Sequence, residues 1–556
     1  MLLADALSSM KQGIKITLVL FVMLSLLPCV VQAQRTDAAV VQLQKLNRLY
    51  RHLYNSYVDS VDMAPLVESG IRAMLEELDP HSVYLDEKEM KSSQEVMECE
   101  FSGIGVEYNI LNDTIMVLNT VPQGPAEGVG LLPNDRIVKI DGENVVGVER
   151  SDVPPRLRGE TGTVVNVSVV RRGVSEELNF SITRDKIPIT TVDAAYKISK
   201  DAGYIKVNRF GRTTMQEFEQ AMSQLGEVGT LVLDLSNNGG GLLDQAVGMA
   251  GYFIEQDSLV VSTEGRAIEP RYFYAEDGGR FKGNLIVMIN ESSASGSEIV
   301  AGAVQDWDRG LLVGRSSFGK GLVQSQIPYA DGSALRLTVA RYYTPTGRSI
   351  QKPYTNGDEY DYDMDLIRRY NNNEFFSADS IHFADSLKFV TPKGKVVYGG
   401  GGIMPDVFIP MDTTDMTRYY AEVSGRNILY RYTLDYADRH REALNAVRTM
   451  DELTELLDSD KRLFDDFIRY ATAQGVKPVQ REIARSRRIM EAQLRAYIGR
   501  NTVLEDAAFY YNIMPVDNVL VRSVELLKEM PLPEKEEGEE VIISRTLPEM
   551  EIKLNR

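Results

Sequence analysis

The chain has 556 residues, of which 43% are hydrophobic and 25% are charged, and its formal net charge is −19. It has the composition of a globular protein and is too long for one ordinary domain, so about three or four domains are expected. The acidic balance argues against a nucleic-acid-binding protein, because neutralising phosphates requires a dense basic face.

The N-terminus has the pattern of a secretory signal. Lys11 and Lys15 precede an apolar run at 16–31, and small residues stand before Gln34, where a signal peptidase would cut. We expect residues 1–33 to be removed from an exported, periplasmic protein, with Met10 as an alternative start. The other interpretation is an uncleaved anchor in the inner membrane, although a comfortable span needs roughly 20 apolar residues.

Residues 34–94 are predicted to form a helical region. Apolar side chains recur at three- and four-residue spacing from Val41 to Val58 and again from Met63 to Leu78. Asp79-Pro80 is expected to end the second helix, because the residue before a proline disfavours helical backbone. Cys99 would be the single cysteine of the mature chain, and we expect it to be inert packing.

Residues 95–185 change to short strands and turns. The run G-P-A-E-G-V-G-L-L-P-N-D-R-I-V-K-I-D-G, from Gly124 to Gly142, resembles a PDZ domain. This resemblance implies capture of an extended peptide as an added strand, with its terminal carboxylate held by backbone N–H groups of a glycine-rich loop. Gly103, Ile104 and Gly105 are assigned to that loop. The alternative is that these glycines only form a tight turn.

Residues 186–411 follow an α/β pattern of buried strands and amphipathic helices. The strand from Thr230 to Leu235 runs into a loop, Ser236 to Gly241, whose glycine N–H groups suit an anion. A phosphate is the first candidate for that anion. We reject it, because the Lys-Ser/Thr of a P-loop and the spaced glycines of a dinucleotide site are missing.

A group of serines follows the next buried strand, Leu285 to Ile289. Ser295 stands three residues before Glu298, which is capping-box spacing and places Ser295 at or next to a helix start. A hydroxyl at this position is either an ordinary cap or a nucleophile. The positive end of the helix suits a nucleophile whose product is an oxyanion.

Lys320 lies between two glycines, which is unusual for a lysine on a solvated face. The segments 312–314, 317–324 and 333–341 are predicted to be strands of one sheet. On a strand, Lys320 and Gln324 point to the same side, so Gln324 can orient the amine. A desolvated lysine can act as a base near neutral pH.

The run S-A-S-G-S-E-I-V-A-G-A-V-Q-D followed by F-G-K-G-L-V-Q resembles the C-terminal processing peptidases, also called tail-specific proteases. The resemblance implies an α+β multidomain fold, with a PDZ domain ahead of an α/β (crotonase-like) serine protease core and helical N- and C-terminal regions. It also implies Ser295 as nucleophile, Lys320 as base, Gln324 as the assisting residue, and Gly240 and Gly296 as oxyanion donors. Neither a metal nor a cofactor is implied.

Two positions depart from the family pattern. Ser236 stands where the family has arginine, which puts a salt bridge behind the glycine loop in doubt. Gly296 replaces the alanine after the nucleophile, which keeps the backbone donor but adds flexibility.

A histidine-based triad is not expected. The chain has four histidines, His52, His81, His382 and His440, and all lie outside the glycine-rich segment 204–341. They show no zinc-ligand spacing, and no G-x-S-x-G elbow is present. A metal-free lysine mechanism remains.

Residues 412–530 are predicted to contain three or four helical segments without evident chemistry. A homodimer or adaptor contact through these helices is suggested only by elimination. Residues 531–556 form a charged tail. The expected function is endopeptidase action on the C-terminal tails of exported or poorly folded proteins. The competing class is a non-catalytic PDZ scaffold or periplasmic chaperone in which Ser295 is only a cap.

Overall fold

The computed structural model describes residues 38–111 and 113–530. The predicted signal (1–33) and charged tail (531–556) lie outside this range. The chain divides into two compact units, at residues 1–75 and 76–556. None of the described helices is both long and apolar enough to cross a membrane.

The described part of the first unit, residues 38–75, contains two helices, where the three- and four-residue spacing predicted helix. A helix covers residues 38–56 (α1), and a second, Met63–Glu76 (α2), ends one residue into the second unit. The second helix stops two residues earlier than Leu78, before Asp79. Apolar side chains of α1 are exposed, among them Leu43, Leu49 and Tyr54.

A strand and a helix precede the PDZ region. The strand Val83–Leu85 (β1), which the sequence did not predict, pairs with a strand about 250 residues further along the chain. The helix Glu87–Glu98 (α3) begins at a capping box of Asp86 and Glu89.

The PDZ region is built around an open antiparallel sheet. Its elements are β2 Glu100–Gly103, β3 Val106–Leu111, β4 Thr114–Thr120, α4 Pro125–Gly128, β5 Arg136–Ile140, β6 Glu143–Asn144, α5 Val153–Leu157, β7 Val164–Val170, β8 Leu178–Thr183 and β9 Asp185–Pro188. The sheet order is β3-β4-β5-β7-β8, with β6 paired to β5. Val165, Val167 and Val169 alternate into its core, as their period of two predicts. Strands β2 and β9 pair with each other where the chain enters and leaves this region.

Two sheets form the protease core. Its first half contains β10 Val192–Ser199, β11 Ala202–Val207, α6 Thr214–Leu225, β12 Thr230–Asp234, α7 Leu243–Phe253, β13 Leu259–Gly265, β14 Ile268–Tyr274, β15 Asn284–Ile289, α8 Gly296–Asp306 and β16 Leu311–Gly314. Its second half contains β17 Leu322–Pro328, β18 Ala334–Tyr343, α9 Glu359–Asp363, α10 Asp365–Asn371, β19 Lys388–Val390, β20 Val396–Tyr398 and β21 Val407–Phe408.

The central sheet has the order β10-β11-β12-β15-β16-β21, and the strands from β11 onwards are parallel. Strands β17 and β18 instead belong to a second sheet, β1-β18-β13-β14, in which β17 pairs with β18. The prediction that 312–314, 317–324 and 333–341 share one sheet is therefore wrong. The irregular segment 315–321, which follows a positive φ at Gly314, carries the chain from one sheet to the other.

The C-terminal helices cover one face of the central sheet. They are α11 Arg418–Gly425, α12 Ile428–Arg439, α13 Arg441–Ala446, α14 Met450–Ser459, α15 Leu463–Ala473, α16 Gln480–Gly499, α17 Glu505–Ile513 and α18 Asn518–Glu529. Their apolar residues form one core with Tyr196, Val232 and Met288 of the sheet. Helices α6, α7 and α8 pack on the opposite face. The region that suggested no chemistry thus completes the fold.

Candidate active site

Ser295 immediately precedes α8, as the capping-box spacing predicted. Its backbone has φ 53° and ψ −110°, an unusual conformation for a residue other than glycine, and backbone strain of this kind clusters at functional sites. The turn before it is fixed by Asn290, whose side-chain oxygen accepts the N–H of Asn237 at 2.9 Å. The turn that leads to Ser295 is therefore held by a bond between the ends of two parallel strands, β12 and β15.

The structure distinguishes Ser295 from the neighbouring serines. The Ser293 hydroxyl donates to the Leu235 carbonyl at 2.8 Å, and the Ser297 hydroxyl donates to the Asn238 carbonyl at 2.8 Å. Both serines are fully buried. The Ser295 hydroxyl donates no hydrogen bond to the described residues, and Ser295 lines a cavity of about 370 Å³. Ser292 is exposed and does not line that cavity.

Glu298 connects the serine to the lysine. Its carboxylate accepts the N–H groups of Ser295 (2.8 Å), Gly319 (2.7 Å) and Lys320 (2.9 Å), and also the Ser317 hydroxyl (2.6 Å). The residue is fully buried. Burial raises the pKa of the carboxyl, and these hydrogen bonds oppose the rise. Sequence reasoning identified Glu298 only as a capping residue; its partners around Lys320 come from a different part of the chain.

Tyr342 makes a second connection between the same two segments. Its hydroxyl lies 3.1 Å from the Ser295 carbonyl and also contacts the Lys320 carbonyl. The side chain is 2% exposed, so this contact is sheltered from water. The sequence offered no signal for this role beyond an apolar strand.

Lys320 lines the same cavity as Ser295, together with Gln324. Burial lowers the pKa of its amine and the positive charge of Arg336 adds to the effect, while Glu298 and Asp79 oppose it. The amine is therefore easier to deprotonate than an ordinary lysine. Among the described residues, no hydrogen bond joins it to Ser295 or to Gln324.

Lys320 and Gln324 do not lie on one strand, and the prediction that they do is wrong. Lys320 lies in irregular chain, two residues before β17 begins at Leu322, and the β17–β18 register shifts between Val323 and Gln324. The Gln324 amide donates to Thr338 Oγ1 at 3.3 Å rather than contacting the lysine. Both side chains nevertheless reach the cavity, because the irregular backbone removes the strict alternation of a strand.

Gly240 packs directly against the serine turn. Its φ is +95°, and a Cβ there would lie 2.7 Å from the Ala294 carbonyl oxygen and from Ser295 Cβ. The position thus requires glycine. Its N–H, however, donates to Asn238 Oδ1 at 2.9 Å, so in this structure it is not free to bind an oxyanion.

Gly296 begins α8, and its N–H meets no acceptor within the described residues. It is therefore available as a donor at the positive end of the helix. A Cβ at Gly296 would lie 3.0 Å from the Phe210 ring, which accounts for glycine where the family has alanine.

A different cation replaces the missing arginine at Ser236. Lys206 Nζ lies 3.1 Å from Asp234 Oδ1 at the end of β12, and both residues are 4% exposed. Lys206 also bonds the Ser236 carbonyl, and the Tyr204 hydroxyl donates to Asp234 at 2.7 Å. The neighbouring strand β11 therefore supplies the salt bridge behind the glycine loop.

The predicted peptide-binding loop follows β2. The carbonyls of Ile104 and Gly105 accept the N–H groups of Ala126 and Val121 at 2.9 Å each, and Gly105 has φ +73°. The N–H groups of Ile104 and Gly105 have no backbone acceptor in the part of the chain that is described. Gly103 is the last residue of β2. Strand β3, which follows the loop, is an edge strand of its sheet and can accept an added strand.

His81 lies near the cleft despite its distance in sequence from Lys320. Its Nε2 is 3.0 Å from the Tyr362 hydroxyl. Burial and, second, the charge of Lys320 lower the pKa of His81 to about 4. The ring is thus neutral near pH 7. No group of three or more His, Cys, Asp or Glu side chains within 38–111 and 113–530 is arranged to hold a metal ion.

A larger cavity of about 830 Å³ adjoins the cleft along α7. Leu242 and Leu243 line both cavities. Its outer wall is the edge strand β14, on which Tyr272 and Tyr274 are 58% and 48% exposed. The cleft therefore adjoins a groove that is lined by both apolar and charged side chains and ends in exposed aromatic rings.

Family profiles match most of this architecture. Peptidase family S41 matches residues 201–363, and a PDZ domain matches residues 102–182. The N-terminal domain of the activating protease CtpB matches residues 28–89, and a family of unknown function matches residues 419–503.

Curated relatives share the same part of the chain. A carboxy-terminal-processing protease of Bartonella bacilliformis is 37% identical over 325 residues, which is 56% of this chain and 73% of the relative. The carboxy-terminal processing protease CtpA of Bacillus subtilis is 33% identical over 314 residues, covering 56% and 67%. Among solved structures, a photosystem II D1 C-terminal processing protease is 26% identical, covering 66% of this chain and 86% of its own, with a TM-score of 0.34. The chain therefore belongs to the carboxy-terminal processing proteases of peptidase family S41, which are serine endopeptidases with a PDZ domain.

Proposed function

We propose that this protease cleaves peptide bonds with a Ser295–Lys320 dyad after its PDZ domain has captured the C-terminal tail of an exported or poorly folded protein. One observation carries the proposal. Ser295, whose hydroxyl donates no hydrogen bond to the described residues, shares a cavity with the partly buried Lys320, whose pKa is lowered. Glu298 binds the backbone of both residues.

The proposed reaction begins with neutral Lys320, which accepts the Ser295 proton as Ser295 Oγ attacks the scissile carbonyl. The free N–H of Gly296 stabilises the oxyanion. The Gly240 N–H joins it only after releasing Asn238, so substrate binding is expected to shift the glycine loop. Lys320 then returns the proton to the leaving amine, and water hydrolyses the acyl-enzyme. The shift that accompanies substrate binding also brings the Ser295 hydroxyl and the Lys320 amine into hydrogen-bond contact, before the first proton transfer.

Peptide capture is proposed at the edge strand β3. A tail added to β3 places its carboxylate at the loop of Gly103, Ile104 and Gly105. The N–H groups of Ile104 and Gly105 have no backbone acceptor in the described residues and can bind that carboxylate. The groove along α7, which adjoins the Ser295 cavity at Leu242 and Leu243, gives the rest of the polypeptide a surface of apolar and charged side chains. This arrangement favours long, extended substrates over small compact ones.

Export to the periplasm, with an inner-membrane tether as the alternative, is proposed on the charge and apolar pattern of residues 1–33. A homodimer or adaptor contact through the C-terminal helices is the weaker proposal. Much of the apolar surface of those helices is used to cover the central sheet.

The decisive experiment incubates purified protein with fluorescently labelled casein, a disordered test protein. We expect fragments from the wild-type protein and from Ser297→Ala, and none from Ser295→Ala or Lys320→Ala. Tail peptides should still bind to the two inactive variants. Fragments from Ser295→Ala would refute the assignment of the nucleophile, and a wild-type protein that binds casein without cutting it would favour the scaffold interpretation.

A further inference from the structure

A series of hydrogen bonds reaches the catalytic cavity from the turn after α2. Thr338 on β18 donates its hydroxyl proton to Asp79 Oδ1 at 2.7 Å. The amide nitrogen of Gln324 in turn donates to Thr338 Oγ1 at 3.3 Å. Asp79 is 245 residues from Gln324 in sequence, and the pairing of β1 with β18 brings the two together.

Asp79 is held firmly as an acceptor. Its carboxylate also accepts hydrogen bonds from the Ser82 hydroxyl at 2.5 Å and from the backbone N–H of His81 at 3.0 Å. Ser82 Oγ in turn accepts the backbone N–H of Thr338 at 3.0 Å. The Asp79 carboxylate therefore accepts three hydrogen bonds, and the Thr338 hydroxyl proton stays directed at Asp79 Oδ1.

This arrangement fixes the direction of the next hydrogen bond. A threonine hydroxyl has one proton, and here Asp79 accepts it. Thr338 Oγ1 can therefore only accept from Gln324, which turns the amide nitrogen of Gln324 towards Thr338. The amide oxygen is left as the free end of a side chain that lines the cavity together with Lys320 and Ser295.

We propose that Asp79 is a positioning residue of the catalytic site, which acts through Thr338 to hold the Gln324 amide with its oxygen available to Lys320. This inference rests on the proposed Ser295–Lys320 mechanism. A neutral lysine amine that donates one N–H to the Gln324 oxygen keeps its lone pair for the Ser295 proton. A reversed Gln324 amide would donate to the lone pair itself and compete with the Ser295 hydroxyl.

A purely electrostatic role for Asp79 predicts the opposite effect. The negative charge of Asp79 raises the pKa of Lys320 against the effect of burial. Removing that charge would favour the neutral amine and leave the turnover unchanged or faster. In the relay, Asp79→Asn slows turnover, because an asparagine amide can donate to Thr338 Oγ1 and allow the Thr338 proton to turn towards Gln324.

The test compares kcat and KM for labelled casein in the full chain. We expect Asp79→Asn and Thr338→Val each to lower kcat about tenfold with KM unchanged. Thr338→Ser, which keeps the hydroxyl, should return kcat to within about threefold of the wild type. The double variant should lose no more than Thr338→Val alone, because both changes break the same relay.

Asp331→Asn is the matched control. Asp331 accepts the N–H (3.0 Å) and hydroxyl (2.6 Å) of Ser333 in the β17–β18 turn, outside the cavity, so its kcat should equal that of the wild type. If Thr338→Val retains full kcat while Lys320→Ala is inactive, the relay is refuted and the dyad stands. Equal losses in Thr338→Val and Thr338→Ser would also refute the relay. Activity in Lys320→Ala would instead refute the dyad.

Discussion

The four hydrogen bonds accepted by Glu298 lead to a quantitative prediction for Glu298→Gln. The glutamine has nearly the same shape, but it offers one acceptor oxygen and turns an NH₂ group towards the remaining donors. About two of the four bonds are lost, and a hydrogen bond to a charged group is worth about 1.5–3 kcal/mol. The lost bonds therefore lower the free energy of unfolding by about 3–6 kcal/mol. The net loss is smaller, because the neutral glutamine avoids the cost of burying a charge, the same cost that raises the pKa of the Glu298 carboxyl.

The main effect is expected on catalysis, because the same bonds place Ser295 and Lys320 relative to each other. A displacement on the order of 1 Å between reacting groups costs about 10²-fold in rate. We expect kcat for labelled casein to fall about 10²-fold and the midpoint of thermal unfolding by circular dichroism to fall by on the order of 5 °C.

Glu291→Gln is the control for this substitution. Glu291 lies on the same turn and pairs with Arg315 at 2.7 Å, five residues before Lys320, and no hydrogen bond or ion pair in the described residues joins it to Lys320 itself. Its kcat should stay within about threefold of the wild type, because the glutamine can still accept from Arg315 and the pair holds neither Ser295 nor Lys320. The account of Glu298 as the connecting residue is wrong if Glu298→Gln keeps wild-type kcat, or if Glu291→Gln loses as much activity.

Three other predictions follow from the site. Gly240→Ala should abolish casein cleavage but not the binding of tail peptides, as measured by fluorescence anisotropy, because its Cβ would meet the Ser295 turn at 2.7 Å. Lys206→Met should lower the free energy of unfolding by about 3–5 kcal/mol in urea, because it leaves a buried Asp234 unpaired; an unchanged midpoint would contradict this. The value of kcat/KM should rise with pH through a pKa below the ordinary lysine value of 10.5, because Lys320 must lose its proton to act. His81, with a pKa of about 4, should not contribute to that rise.

The sequence predicted the elements that carry a strong local pattern. The strands β12 and β15 are continuous apolar runs, and α8 starts where the spacing of Ser295 and Glu298 indicates a cap. The resemblance assigned Ser295, Lys320 and Gln324 to one site, and all three line one cavity.

Features that depend on pairing between distant segments were not predictable. Strand β17 follows β16 in the chain but does not join its sheet. It pairs instead with β18, which follows it after a turn, and this pairing places β17 in the second sheet. Asp79 was noted only as a helix terminator, yet the β1–β18 pairing brings it to Thr338. Two further features are visible only in three dimensions. The Gly240 N–H already donates to Asn238, and Lys206 on the neighbouring strand supplies the cation that is missing at Ser236.

Covalent labelling of the nucleophile tests the central claim most directly. The protein is incubated with a fluorophosphonate, which reacts with activated serines, and the modified residue is identified by mass spectrometry of the digested protein. We expect one adduct, on Ser295, formed at wild-type rate in Ser297→Ala and lost in Lys320→Ala. An adduct on another serine, or labelling of Ser295 at an unchanged rate without Lys320, would contradict the proposed dyad.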